Sequence, residues 1–371
     1  MTKLRDKILT VLFVFFIGAV MLCLFLLPKE NVSVNEKRTL AFAPKLSLSG
    51  IISGKFENDV EKYITDHFPW RDKFTGLNAY ISLYTGRNGT NGVYKGNDGY
   101  LISAPVKADY EQLEENVTAM MDFTEITGIP STLMVIPSAG YIMPDKLPKN
   151  HGEYKDGALI DTAHKMSEAV IGYVDIPKKF AQIKNDTNLY YKTDHHWTSD
   201  GAYNAYTEYC REIGFEPLWD FQITRHDGFY GTLYSKSALW NESADVLEIW
   251  DYPYDMSIRI EDEEYESKQF FYRHHLNEND KYPVFLDGNH AIERIINHKN
   301  PDGEKLLVLK DSFAHCFVPF VANHYSEVDM VDLRYYLEPV SDLVRERNYD
   351  RILYLYGISS LTESNDISIL Q

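Results

Sequence analysis

An unbroken apolar segment opens the chain. Residues 8–27 read ILTVLFVFFIGAVMLCLFLL and carry no charged side chain. At about 1.5 Å per helical residue, this run spans the roughly 30 Å core of a bilayer. Basic residues precede it, which predicts a cytoplasmic tail at 1–7, a transmembrane anchor at 8–27 and export of the remainder. A cleaved signal peptide is the alternative, but its apolar region is normally shorter, and no A-x-A-like site follows Leu27.

Beyond the anchor, the pattern changes twice. Residues 28–50 combine Pro, Asn, Ser and Lys without a sustained period, which is typical of a linker. We expect one extracytoplasmic domain over 51–371. Within it, 221–282 is poor in periodicity and rich in acidic residues, so we interpret it as an insertion or a set of peripheral hairpins.

The rest of this domain alternates between two apolar patterns. Short apolar runs bounded by turn residues predict strands, and runs with helical spacing predict helices. Strands are predicted at 131–137, 172–176, 188–197, 305–310, 327–333 and 351–357, and helices at 56–73 (broken at Pro69), 110–127, 199–214, 312–325 and 337–348. Strands and helices that alternate at this spacing predict βαβ units and a parallel sheet, hence an α/β fold.

Charge and cysteine content exclude several classes of protein. The formal net charge is −18, whereas nucleic-acid binders need a basic face that replaces counterions. Of the three cysteines, Cys23 lies in the apolar run. A disulfide between Cys210 and Cys316 is possible, but a dense disulfide framework is excluded.

A serine follows the strand predicted at 305–310. Parallel sheets bind substrates at the carboxyl ends of their strands, so the sequence KDSF places Ser312 at such a crevice. The helix after it offers backbone N–H groups and a positive dipole end, which suit the oxyanion of acyl transfer. Alternatively, Ser312 or Asp311 is simply a helix N-cap. Cys316, one turn later, is a candidate thiol nucleophile, although its helical position favours buried packing.

The motif TDHHW supplies a base and a group that orients it. In an extended segment side chains alternate, so we expect Asp194 and His196 on one face and His195 on the other. Asp194 would fix the tautomer of His196, and His196 would take the proton of Ser312 and return it to the leaving group. We expect His195 to hydrogen-bond in the neighbouring wall and Trp197 to form the floor of the site or border an acyl pocket.

Two other interpretations of the adjacent histidines remain open. They are ordinary core or surface residues, or they bind a metal ion. The chain has 12 histidines but neither an HExxH motif nor zinc-type Cys/His spacing, so we predict no metal and no cofactor.

The combination of motifs resembles a known group. TDHHWTSDGAY resembles the signature of the bacterial DHHW family, and TDHHW followed by KLLVLKDSF resembles the alginate O-acetylation proteins of the AlgX/AlgJ type. The resemblance implies an SGNH hydrolase-like, flavodoxin-like three-layer αβα domain with a circularly permuted motif order. It places the family's aspartate on Asp194, its histidine on His196 and its nucleophile on Ser312.

Some positions depart from that pattern or have more than one interpretation. Lys310 stands where the usual G-D-S motif has glycine. Asn289 in FLDGNH is a candidate oxyanion donor or a turn residue. Arg334, at a strand's carboxyl end, would contact an anionic group or form a salt bridge. We interpret His67 as a packing residue.

The resemblance implies acetyl transfer to the hydroxyl groups of an extracellular or cell-surface polysaccharide. Acetyl donors are cytosolic and the predicted site is outside, so the implied donor to Ser312 is a membrane-bound O-acyltransferase partner. An esterase with the same triad is one alternative, because the triad does not decide which nucleophile reaches the acyl-enzyme. A non-catalytic glycan-binding or scaffold protein is the other.

Overall fold

The computed structural model describes residues 2–260, 265–368 and 370. The chain divides into two compact units, one formed by 1–90 with 235–240 and the other by 91–234 with 241–371. Residues 261–264 of the predicted insertion lie outside the described residues.

The first unit begins with the apolar helix. Leu4–Leu26 is long and apolar enough to cross a membrane, with only 6% of its most apolar window buried. After it, Arg38 donates to both oxygens of Asp66, which lowers the pKa of that carboxyl to about 2 despite its partial burial. His67 donates from Nε2 to the carbonyl of Ala41 over 2.8 Å. The elements of this unit are α1 (Thr2–Leu26), β1 (Val32–Ser33), β2 (Arg38–Thr39), α2 (Leu48–Ile52), α3 (Lys55–Asp66), α4 (Arg71–Tyr84) and β3 (Gly89–Thr90).

The remaining helices and strands follow along the rest of the chain. They are β4 (Val93–Lys95), β5 (Leu101–Ser103), α5 (Tyr110–Thr127), β6 (Ser131–Ile136), α6 (Ala139–Ile142), α7 (Asp156–Ser167), β7 (Gly172–Val174), α8 (Ile176–Ile183), α9 (Ser199–Ile213), β8 (Gln222–Phe229), α10 (Thr232–Ser237), β9 (Asp245–Asp251), β10 (Met256–Ile260), β11 (Tyr265–Ser267), β12 (Ile292–Asn297), β13 (Lys305–Lys310), α11 (Ala314–Val321), β14 (Glu327–Val331), α12 (Val340–Arg347), β15 (Arg351–Gly357) and α13 (Ile358–Glu363).

A large mixed sheet organises the second unit. Among the described residues its strand order is β11-β10-β12-β14-β13-β15-β6-β7. The strands from β14 to β7 are parallel, whereas β12, β10 and β11 pair antiparallel at one edge. The predicted parallel sheet is therefore correct for the centre and one side. The segment 221–282 contributes the β8–β9 hairpin and also β10 and β11 of this sheet.

Helices cover both faces of the sheet. Along β13, Leu306 and Val308 pack into a core shared with α8, α9 and α11. The alternate residues Leu307 and Leu309 pack into a second core shared with α5, α7, α12 and α13. A strand buried on both faces reads as a continuous apolar run, which is why KLLVLK has no polar alternation. The outcome is a three-layer α/β arrangement.

Most predicted elements are present, although some bounds differ: the helix predicted at 312–325 is Ala314–Val321, and the second part of the helix predicted at 56–73 extends to Tyr84. Helix α5 covers 110–127 as predicted and ends at Gly128, which has φ 65°. The strand predicted at 188–197 is wrong, because this segment consists mainly of bends, with an isolated bridge between Tyr190 and Trp197. Helix α9 is capped by Thr198, whose side chain accepts from the Gly201 amide.

Candidate active site

A buried carboxylate from a distant strand bends the TDHHW segment. Asp245, the first residue of β9, accepts hydrogen bonds from the amides of Lys192 and Thr193, each at 2.8 Å. The hydroxyl of Thr193 donates to the same carboxylate over 2.6 Å. These amides therefore bond to a side chain rather than to a neighbouring strand. The resulting bend directs the next residues toward the carboxyl edge of the sheet.

Both carboxylate oxygens of Asp194 accept hydrogen bonds. Its Oδ1 accepts from the backbone amide of His196 at 2.9 Å and from Nδ1 of His196 at 2.6 Å. Its Oδ2 accepts from the amide of Thr232 at 2.6 Å and from the Thr232 hydroxyl at 3.0 Å. Burial acts to raise the pKa of Asp194, but the neighbouring histidines and these hydrogen bonds hold it well below its usual range. Asp194 is thus ionised and fixed in orientation.

His196 connects Asp194 to Ser312. Its Nε2 lies 2.7 Å from Ser312 Oγ. Since an ionised carboxylate only accepts, Nδ1 of His196 must carry the proton that is shared with Asp194. Nε2 of the neutral ring is then free to accept the Ser312 hydroxyl proton. The predicted Asp194, His196 and Ser312 therefore form one continuous hydrogen-bonded chain.

The turn that presents Ser312 is tied down by Asp311. Its Oδ1 accepts from the amide of Phe313 at 3.0 Å, and its Oδ2 accepts from the amide of Gly357 and the hydroxyl of Ser360, both at 2.7 Å. These contacts join the carboxyl ends of β13 and β15. Asp311 thus supports the turn rather than capping a helix alone. The amide of Phe313 therefore donates within this turn.

Aromatic side chains enclose the imidazole of His196. Tyr282 stacks on it with ring centroids 3.9 Å apart and planes 9° apart, and its hydroxyl donates to the Ser312 carbonyl at 3.4 Å. Trp197 is fully buried, and its Nε1 donates to the Phe313 carbonyl at 3.1 Å. Trp197 therefore packs against the turn that carries Ser312.

His195 does not point away from the site, contrary to our expectation. Its ring lies against that of His196, with centroids 3.8 Å apart. Its Nδ1 is 2.7 Å from the hydroxyl of Thr232. Because this hydroxyl donates to Asp194, its oxygen accepts from Nδ1 of His195. The expected alternation fails because the segment is bent and not extended.

Buried charged groups lie behind the nucleophile. Nζ of Lys310 donates to Nε2 of His315 at 2.7 Å and lies 3.5 Å from Asp332 Oδ2. Burial first, and then the charge of Lys310, hold the pKa of His315 well below its usual range. Lys310, which stands in place of the glycine of the usual G-D-S motif, therefore lies at the centre of a polar network.

Arg334 and Asn289 extend this network toward the surface. Arg334 donates from Nε and Nη2 to both oxygens of Asp332, at 2.8 and 2.5 Å, which raises the pKa of the guanidinium. Nη2 also lies 3.4 Å from Asn289 Oδ1. Of the two alternatives for Arg334, the structure shows the salt bridge, which is formed with Asp332. Asn289 contacts this arginine.

The cysteines of this unit are free thiols. Cys210 and Cys316 are both buried. Sγ of Cys316 donates to Ser199 Oγ over 3.6 Å, and burial raises the pKa of the thiol to about 12. A thiol with this pKa is protonated at neutral pH, which disfavours Cys316 as a nucleophile.

Ligand atoms of Asp194, His195 and His196 lie within 4.8 Å of one another, a spacing that a metal ion can bridge. In this arrangement, however, both oxygens of Asp194 already accept hydrogen bonds from His196 and Thr232. The same atoms thus satisfy one another through hydrogen bonds in this arrangement.

The family model described as "DHHW protein" matches residues 89–331, which is more than half of the 371 residues. The chain belongs to the DHHW family. Over 160 residues, this DHHW protein is also 25% identical to the probable alginate O-acetylase AlgJ of Pseudomonas syringae. That match covers 41% of each chain, so less than half of the relative's length is represented.

Solved structures show a similar fold. A DHHW family protein from Eubacterium siraeum is 21% identical with a TM-score of 0.63, and the match covers 76% of this chain and 95% of that one. Bacillus cereus PatB1 with a sulfonyl adduct is 18% identical with a TM-score of 0.62, covering 75% of this DHHW protein and 100% of PatB1. At these identities the likeness concerns the fold alone.

Several residues that shape the site escaped the sequence-based reasoning. Gly231 is one, because a Cβ there would lie 2.2 Å from Cβ of Asp194. Thr232, Asp245 and Tyr282 are the others. Gly231 and Thr232 lie in the segment GFYGTLYSKS, which the motif reasoning did not use. Tyr282 and Asp245 fell in the segment that we interpreted as an insertion.

Proposed function

We propose that this DHHW protein is an extracytoplasmic O-acyltransferase that moves acetyl groups onto hydroxyls of a cell-surface or extracellular polysaccharide. The observation that carries the proposal is the chain from Ser312 Oγ through His196 to Asp194, with 2.7 and 2.6 Å between successive heavy atoms. A serine needs such a base, and the base needs an orienting group. The name of the AlgJ relative, an alginate O-acetylase, supports acetyl as the group and a polysaccharide as the acceptor.

In the first half-reaction, Ser312 Oγ attacks the carbonyl carbon of an acetyl donor while Nε2 of His196 takes the hydroxyl proton. The tetrahedral intermediate collapses, and His196 returns the proton to the leaving group of the donor. Asp194, held ionised by its hydrogen bonds, stabilises the imidazolium that forms between these steps. The product is an acetyl ester on Ser312.

In the second half-reaction, a sugar hydroxyl replaces the leaving group. His196 takes its proton, the new oxygen attacks the ester carbonyl, and Ser312 Oγ leaves and recovers the proton. Water in place of the sugar would make the protein an esterase. Whether the sugar hydroxyl or water reacts depends on which of them reaches the acyl-enzyme, and not on the triad. The order of motifs, with the base before the serine, is that of the permuted SGNH enzymes which the sequence resembles.

The N-terminal helix supports a location at the membrane. The helix Leu4–Leu26 is long enough to span a bilayer. Within it we propose a single anchor that begins at residue 8, with 1–7 in the cytoplasm and the catalytic domain outside. Because acetyl donors are cytosolic, we propose that a membrane-bound O-acyltransferase partner delivers the acetyl group to Ser312.

The test uses the full chain in detergent with an activated acetyl ester, in the presence and absence of an acetylatable oligosaccharide. We expect Ser312→Ala to lower turnover by about 10⁴-fold or more. Ser341→Ala, a serine on α12, should keep wild-type turnover. Intact-mass measurement should find one acetyl group on the wild type and none on Ser312→Ala.

Product analysis separates the candidate functions. Acetylated oligosaccharide is the expected product, whereas acetate alone despite a saturating acceptor would make the protein an esterase. Undiminished turnover in Ser312→Ala would refute the assignment of the nucleophile. Intact glycan binding without acylation of Ser312 would instead make the protein a non-catalytic glycan-binding component.

A further inference from the structure

A second cluster of imidazole and carboxylate groups lies on the short 3-10 helix Arg273–Asn277 and the residue that follows it. His274, His275 and Glu278 each offer one ligand atom, and these atoms lie within 4.8 Å of one another. The rings of the two histidines lie close together, with centroids 4.0 Å apart and planes 36° apart. Ligand atoms this close together can share a single metal ion.

His275 has the surroundings of a metal-binding histidine. Its Nε2 donates to Oδ1 of Asp287 at 2.6 Å, and its Nδ1 lies 2.7 Å from Oε2 of Glu278. Metal-bound histidines almost always donate their other N–H to a carboxylate, which fixes the ring and its tautomer. Asp287 provides this contact and thereby leaves Nδ1 facing Glu278.

His274 has no evident role without a ligand. Its side chain is exposed, and its contacts are with the ring of His275 and, edge-on at 6.3 Å, with the ring of Tyr272. Within the described residues, neither of its ring nitrogens has a hydrogen-bond partner. His274 is therefore available as an additional donor beside the Glu278–His275–Asp287 contacts.

We propose that His274, His275 and Glu278 bind a divalent transition-metal ion, with Zn²⁺ as the best match. Two imidazole nitrogens and one carboxylate oxygen, with water as the fourth ligand, form a donor set that Zn²⁺ accepts at about 2.0–2.2 Å. Ca²⁺ and Mg²⁺ prefer sites built entirely from oxygen atoms. Asp287 holds the His275 ring in its binding orientation. The inference goes beyond the proposed function and does not depend on it.

The position of the site indicates a structural role. His275 and Asp287 join the two ends of the segment 275–287, and Tyr282 lies within this segment. Tyr282 is the residue that stacks on His196. A metal ion bound at His275 stabilises the closed form of the segment, because it binds the folded arrangement and not the opened one.

An ion-pair clasp without metal is the competing explanation of the same geometry. In that case a doubly protonated His275 bridges Glu278 and Asp287, and both distances above are accounted for. The clasp does not need His274. The variant His274→Gln therefore distinguishes a metal site from a clasp, and its exposed position makes it compatible with folding.

The experiment measures Tm of the chelator-stripped full chain in detergent, with added Zn²⁺ or Mg²⁺, and the amount of metal retained after dialysis. We expect Zn²⁺ at a hundredfold excess over Kd to raise the wild-type Tm by about 3–6 °C, with little effect of Mg²⁺. His274→Gln should match the metal-free wild-type Tm and lose the zinc-dependent rise.

Two further variants make the outcome decisive. Glu278→Gln should lose the rise as well, whereas His195→Gln, which removes a donor from the Asp194–His195–His196 group, should keep it. Dialysis should leave one zinc ion fewer per chain in His274→Gln than in the wild type. An equal zinc-dependent rise in wild type and His274→Gln, or no rise in the wild type, would overturn the proposal and leave the ion-pair clasp.

Discussion

The ring of Tyr282 lies flat on the imidazole of His196, 3.9 Å away and within 9° of parallel. Its hydroxyl donates to the backbone carbonyl of Ser312 at 3.4 Å. One side chain thus contacts both the proposed base and the turn that carries the proposed nucleophile. A flat aromatic face also stabilises the imidazolium that forms when the base takes a proton. Tyr282 is in this respect a positioning residue.

Substitutions at Tyr282 can separate the contribution of the ring from that of the hydroxyl. Tyr282→Phe keeps the stacked ring, and we expect kcat on an activated ester to change by less than about threefold, because the lost hydrogen bond is long. Tyr282→Leu removes the stack, which is worth about 0.5–1.5 kcal/mol, so we expect kcat to fall by about 2- to 12-fold with little change in KM. Equal losses in both variants would instead assign the effect to the hydroxyl.

Gly231 is required because it contacts Asp194 closely. A Cβ at this position would lie 2.2 Å from Cβ and 2.4 Å from Oδ2 of Asp194, so Gly231→Ala must displace that carboxylate. We expect turnover to fall by about a hundredfold or more, since a displacement near 1 Å has that effect on positioned catalytic groups. Gly172→Ala is the matched control, because its Cβ finds nothing closer than 3.4 Å. Similar turnover in the two variants would contradict this role.

The central strands of the sheet could be predicted because each is identified by the apolar composition and length of its own segment. The apolar run at 305–310 is buried on both faces, so composition and length were sufficient to place β13. Helix α5 was equally well defined, since Asp109 caps its start and Gly128 its end. Predicting these elements did not require knowledge of contacts between residues far apart in the sequence.

The surroundings of the candidate site depend on contacts between distant positions. TDHHW is bent because Asp245, more than fifty residues later, captures the amides of Lys192 and Thr193. Side-chain alternation assumes an extended strand and takes no account of a distant carboxylate that bonds to the backbone. It therefore predicted the wrong side for His195. It nevertheless paired Asp194 with His196 correctly, since the His196 ring bonds back to the Asp194 carboxylate.

Cys316 provides a second test of the nucleophile. Burial raises the pKa of its thiol to about 12, so the reactive thiolate is essentially absent near neutral pH. We expect Cys316→Ala to keep turnover within about threefold of wild type, with a loss of stability of about 1–2 kcal/mol from the small cavity. Iodoacetamide should leave the folded wild type active. Loss of turnover in Cys316→Ala without loss of Tm would assign the thiol a chemical role.

The buried contact between Lys310 and His315 should make the stability of the folded protein depend on pH in the acidic range. His315 is buried, and Lys310 donates to its Nε2, so its pKa in the folded protein lies well below the usual value. The guanidinium of Arg334 adds further positive charge near it. In the unfolded chain the imidazole titrates near pH 6.5. Between these two pKa values the unfolded state binds more protons, so stability falls as the pH decreases.

We therefore expect the wild type to lose about 1.4 kcal/mol of unfolding free energy per pH unit below about pH 6.5 on account of His315. His315→Gln should lack this component of the slope, although it is less stable at pH 7.5, where the buried contact with Lys310 is altered. His298→Gln, a change at an exposed histidine bonded to Ser257, should keep the wild-type slope. Urea titrations of the full chain in detergent, from pH 5 to 7.5, measure this difference. Equal slopes for the wild type and His315→Gln would show that His315 does not titrate differently in the folded and unfolded states.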